Sequence, residues 1–166
     1  MVKKMNEKTF LITLDTEEDN QWTPNQPPTT ENAKYLPRFQ ELCEKYGFKP
    51  TWLTTYKMAS DPFFVEYFRD KQNKGLCEIG MHLYAWNTPP NFKLPTKTNE
   101  RSYLIEYPED IMDAKIATIT EFMTNKFDCK IKVILDKKWR NLSDDSSINF
   151  GISQSDIYQM YAYSRK

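Results

Sequence analysis

Lys8–Asp15 reads KTFLITLD, an apolar, β-branched run that closes on an acid. It predicts a short strand delivering carboxylates at its C-terminal end. The next stretch, TEEDNQWTPNQPPTT, is polar and proline-bearing and predicts a long loop. From Thr30 to Tyr46, apolar residues recur with helical spacing at Ala33, Leu36, Phe39, Leu42, Cys43 and Tyr46. Pro37 belongs in the first regular turn, and Gly47 stops the helix. KPTWLTTY (Lys49–Tyr56) predicts a second strand. Asp61 followed by Pro62 is an N-cap signal for a helix running through about Gln72. EIGMHL (Glu78–Leu83) predicts a third strand, and Tyr84–Tyr107 a long proline-bearing loop. The strongest helix is Pro108–Phe127, with Pro108, Glu109 and Asp110 in its first turn. Its apolar stripe is Ile111 or Met112, Lys115 or Ile116, Ile119, Phe122 or Met123, and Phe127. KIKVIL (Lys130–Leu135) predicts a fourth strand.

The order β-α-β-α-β-α-β implies a parallel sheet with right-handed crossovers, so the fold class is α/β. Past Leu135 the chain is polar, serine-rich and without a period. That contrast predicts a domain over 8–135 and an irregular tail over 136–166, or a weak terminal helix within it.

Composition narrows the function classes. The 166 residues suit one domain, and 23 basic residues balance 23 acidic ones. With no net charge, no nucleic-acid partner is expected. Apolar runs fall short of the roughly 20 residues a membrane span needs. MVKKMNEKTF has no apolar core after its lysines, so no secretory signal is expected. Three widely spaced cysteines, Cys43, Cys77 and Cys129, fit reduced thiols in a cytoplasmic protein. Aromatics reach 14%, while only four glycines occur.

Parallel α/β folds gather functional residues where strand C-termini feed into loops. The first strand ends in Asp15-Thr16-Glu17-Glu18-Asp19 and the third in His82. A carboxylate and an imidazole suit a divalent ion such as zinc, and a second carboxylate suits a general base on metal-bound water. The residues alone equally allow a structural histidine and a solvated acidic loop with a helix-capping aspartate.

Three segments, FLITLDTEEDNQW, ENAKYLPRFQELCEKYGFKPTWLTTYKMASDP and EIGMHLYAWNTPP, resemble the polysaccharide deacetylase (NodB-homology) family. The nearest branch carries D-T-E after the first strand and H-L-H-x-W-N-x-P-P after the third. The resemblance runs from about Phe10 to Phe127. It implies a distorted (β/α) barrel that hydrolyses N-acetyl groups on a carbohydrate with a divalent metal, Zn2+ by preference. By position, Asp15 resembles the catalytic base. Glu17 resembles the acidic metal ligand, with Glu18 or Asp19 as stand-ins, and His82 a metal-binding histidine. Trp86, Asn87 and Pro89 resemble the substrate groove wall and Trp22 its opposite side, ordinary packing being the alternative for each tryptophan.

The chain also departs from that pattern. Tyr84 stands where the motif has a second histidine, so one histidine and one carboxylate would leave a metal ion largely to water; Tyr84 is then expected on the substrate side. In VILDKKWRNL, Trp139 and Lys138 resemble an arginine–tryptophan segment, but Leu135 stands where its first arginine belongs. Four strands make an incomplete barrel, where eight β/α units would typically take about 250 residues. This predicts a C-terminally truncated relative whose exposed strand edges favour a homo-oligomer. The alternative is a non-catalytic fragment or pseudoenzyme, a carbohydrate- or protein-binding module. An α/β domain with an unrelated ligand is favoured if Asp15, Glu17 and His82 do not converge.

Overall fold

In a computed structural model, which describes residues 10–23, 25–95 and 102–128, three short strands lie side by side. They are β1 (Thr13–Thr16), β2 (Thr51–Thr54) and β3 (Glu78–Met81), all parallel, in the order β1-β2-β3. Asp15 lies opposite Leu53, and Leu53 opposite Gly80. Side chains alternate across a sheet, so Leu14, Trp52, Ile79 and Met81 share one face and pack into the main core. Asp15, Leu53 and Gly80 share the other.

Three helices cross between or follow the strands: α1 (Leu36–Lys45), α2 (Pro62–Asn73) and α3 (Glu109–Phe127). A 3-10 turn over Glu31–Tyr35 leads into α1, and Pro37 sits in its first turn as expected. Gly47 ends α1 at φ +72°. Its N–H donates to Glu44 O at 3.1 Å while Phe48 N donates to Cys43 O at 2.8 Å. This paired closure needs a left-handed residue, which glycine adopts without a Cβ penalty. At the start of α2, Asp61 Oδ1 accepts from Phe64 N at 3.0 Å, the anticipated N-cap.

The core forms where α2 and α3 cover the sheet. Phe64, Phe68, Ile119, Met123 and Phe127 are fully buried there with Trp52. Trp52 packs on Phe68 at 4.7 Å and donates its indole N–H to Gln40 Oε1 at 2.9 Å. Gln40 Nε2 donates in turn to Glu44 Oε1 at 3.0 Å and to Leu76 O at 3.2 Å. Glu44 pairs with Lys71 at 2.8 Å, closing a polar seam between α1 and α2. Burial opposes the Glu44 charge, but the bonds from Lys71 and Gln40 outweigh it and hold the carboxyl below its usual range.

The sheet is smaller than the sequence pattern suggests. β1 begins at Thr13, so Phe10, Leu11 and Ile12 precede it, and β3 ends at Met81, one residue before His82. The fourth strand expected over Lys130–Leu135 and the tail over 136–166 lie outside the described residues. The architecture is a mixed α/β fold with a three-stranded parallel sheet and helices. Among the described residues β1 is an edge, and Phe10 and Leu11 beside it are exposed. No helix among the described residues is long and apolar enough to cross a membrane.

Candidate functional site

Asp15 and His82 come together because of register. Gly80 stands level with Asp15 across the sheet, and His82 lies two residues further on the same face. His82 N extends the ladder by donating to Thr54 O at 2.9 Å. Its Nδ1 lies 3.9 Å from Asp15 Oδ1, beyond hydrogen-bond reach but close enough for an ion pair when the imidazole is protonated. The Asp15 side chain is 54% exposed and that of His82 only 8%, so the pair opens to solvent through the carboxylate.

The acidic run after Asp15 splits into three environments. Glu17 stays on the rim, where Oε1 accepts from Trp22 Nε1 at 3.0 Å and Oε2 accepts from the Tyr84 hydroxyl. Glu18 turns inward and is 3% exposed. It accepts from Thr55 Oγ1 at 3.0 Å and from Asn87 Nδ2 at 2.9 Å. Asp19 clasps the loop, accepting from Asn32 N at 2.7 Å and bridging Thr29 through the backbone.

An aromatic wall stands over these acids. Tyr84 and Trp86 stack at 4.4 Å with 25° between their planes. Trp22 meets both edge-on, at 5.8 and 5.9 Å, and His82 lies 4.6 Å from Tyr84. Burial pushes the Tyr84 phenol well above the usual range, reinforced by its bond to Glu17 and by the charges of Glu17, Asp15 and Glu18. The phenol therefore stays a donor through ordinary pH.

Of the expected base and the two expected metal ligands, the base Asp15 and the ligand His82 are neighbours. Both oxygens of the third, Glu17, are engaged by Trp22 and Tyr84. Among the described residues no group of three or more His, Cys, Asp or Glu is arranged to hold a metal ion. Two donors do not make a closed zinc centre, which needs four ligands. Trp22, Tyr84 and Trp86 line the rim together, whereas Asn87 spends its amide on Glu18. Sequence reasoning missed Glu18 as the buried floor, and it missed Lys115. That lysine, 1% exposed, breaks an apolar spacing completed by Ile119, Met123 and Phe127.

Residues 88–166 match the McrBC 5-methylcytosine restriction system component. No curated protein and no solved structure matches the chain. The McrBC match overturns the deacetylase resemblance, and with it the carbohydrate substrate, the role in carbohydrate metabolism and the expected absence of a nucleic-acid partner. The physical reason lies in where each signal sits. The motifs behind the resemblance are short segments ending at Pro90, whereas the match covers one continuous interval over the later part of the chain. All the expected site residues from Asp15 to Asn87 precede the matched interval, which begins at Thr88.

Proposed function

We propose that this chain is a nucleic-acid-binding component of a restriction system directed at 5-methylcytosine. The observation that carries the reading is the McrBC match over residues 88–166, just under half of the chain. Charge within that interval supports it. Between residues 126 and 140 stand Lys126, Lys130, Lys132, Lys137, Lys138 and Arg140, against only Asp128 and Asp136, with Trp139 among them. Clustered cations with an interleaved aromatic suit phosphate contacts and base stacking. The zero net charge of the whole chain conceals this segregation.

The rim of β1 and β3 has a place in the same reading. Trp22, Tyr84 and Trp86 offer an aromatic surface on which a base can stack, and Asp15 with His82 forms an acid–imidazole pair beside it. Asp15 is assigned as the general base or the partner of His82, and Glu17 as the acceptor that orients Tyr84 and Trp22. A divalent cation entering with a phosphate would find two donors, Asp15 and His82. The parallel sheet, with its helices on one face, is consistent with a segment of a (β/α) barrel. Buried free thiols at Cys43 and Cys77 suit a reducing, cytoplasmic setting.

Fluorescence anisotropy with the full chain tests the reading. A duplex bearing 5-methylcytosine and its unmethylated counterpart are titrated at about 50 mM and about 200 mM salt. Binding should weaken steeply with salt and favour the methylated duplex, and Lys137→Ala with Lys138→Ala should flatten the salt slope by about two. Failure to bind either duplex at the lower salt defeats the proposal.

A further inference from the structure

Lys115 is the buried group that the site does not account for. It projects from α3, inside the matched interval, and its Nζ donates to Thr88 O at 2.6 Å and to Pro90 O at 2.7 Å. The ring of Tyr107 lies 4.8 Å from the same nitrogen. Among the described residues no carboxylate pairs with it. Burial favours the neutral amine and pulls its pKa below the usual lysine range. A buried ammonium is tolerated only when its donors find acceptors, and here both acceptors are backbone carbonyls of one loop.

That loop carries Tyr84 and Trp86 of the aromatic wall. Asn87 and Thr88 both donate backbone N–H to Tyr84 O, at 3.3 and 3.0 Å, forming a tight turn. Trp86 and Asn87 ride on the turn, one stacked on Tyr84 and the other bonded to Glu18. Lys115 grips the carbonyls at the exit of that turn. Moving the loop outward would strand the ammonium, so the lysine resists displacement in a way that an apolar filler of similar length would not.

We propose that Lys115 is the positioning residue of the rim site, holding Trp86 and Asn87 in place from α3 through Thr88 and Pro90. The inference rests on the restriction-component reading only for what the site binds, not for the geometry. Lys115→Met keeps length and apolar volume but removes every donor; Lys115→Arg keeps donors and charge at larger size. In the full chain, Lys115→Met should retain its far-UV spectrum yet lose near-UV intensity to which the Tyr84–Trp86 stack contributes. Its affinity for the methylated duplex should fall several-fold, and Lys115→Arg should recover most of both signals. A volume-filling lysine predicts the opposite order, with Met unchanged and Arg disturbed, and that order overturns the proposal. If Lys115→Met does not fold, the arginine variant decides: a wild-type near-UV band supports positioning, and a lost band rejects it. Should the near-UV changes appear while no form binds DNA, the positioning role stands and the functional reading fails.

Discussion

Glu18 should behave unlike the acids around it, because it is buried and joins two elements. Its carboxylate accepts from Thr55, just past β2, and from Asn87, in the loop after β3. Thr55 Oγ1 also accepts from Met58 N at 3.2 Å, so its hydroxyl is committed on both sides. Hydrogen bonds to a charged group contribute about 1.5–3 kcal/mol each, and a buried donor left without a partner bears a further desolvation cost. Glu18→Leu abandons both donors, so a loss of about 3–5 kcal/mol is expected, a large share of a small domain's 5–15 kcal/mol. Glu18→Gln keeps an acceptor for Asn87 but turns an amide donor toward Thr55 Oγ1, whose hydroxyl proton loses its acceptor, so it should cost about 2 kcal/mol, less than the leucine change. Urea unfolding followed by far-UV circular dichroism measures both, with midpoints shifting at unchanged slope. A cycle with Asn87→Ala should show coupling of at least about 1 kcal/mol. Glu18→Leu within about 1 kcal/mol of wild type, or a glutamine variant as damaged as the leucine one, would refute the reasoning.

Other outcomes follow from burial. Burial pushes the Cys77 thiol up to about 12, so the folded chain keeps a proton that the unfolded chain releases near pH 9. Stability from this group is complete below about pH 9 and declines by about 1.4 kcal/mol per unit as pH rises toward 12. Urea midpoints across that range should fall more steeply for wild type than for Cys77→Ala, and parallel curves would reject the effect. Phe127, fully buried at the end of α3 and edge-on to Phe64 at 6.1 Å, should cost about 3–5 kcal/mol when replaced by alanine. A midpoint shift worth less than about 1 kcal/mol would mean that the last turn of α3 is not part of the core.

Much of the fold was legible because its punctuation is local. Asp61–Pro62 marks the start of α2, Gly47 the end of α1, and Pro108 with Glu109 and Asp110 the start of α3. The nearness of Asp15 and His82 also followed from sequence, since ends of parallel strands share a rim. What the acids do beyond β1 was not legible. Once the chain leaves the sheet, period-two alternation no longer dictates direction, and tertiary partners chose Glu17 for the rim and Glu18 for the floor. Lys115 was visible as a polar residue in an apolar stripe, but its carbonyl acceptors lie about a quarter of a hundred residues away in sequence. The functional misreading had a different source. Whole-chain charge averages away the basic run between 126 and 140, and short motifs around Asp15 and His82 suggested a family that the later half of the chain does not support.

The parallel sheet also sets the order in which this chain can fold. Thr13 meets Thr51, and Thr51 meets Glu78, so none of these three strands can zip onto its sequence neighbour through a tight turn. Each of these two pairings must wait until a whole helix-bearing crossover has been made and bent back, which places loop-closure entropy ahead of the contacts among β1, β2 and β3. The helices are therefore the early events and the sheet the late one. On a ribosome, β1 would emerge and stay unpaired until β2 cleared the exit tunnel. The rim that unites Asp15 with His82 would be assembled only after β3 had docked.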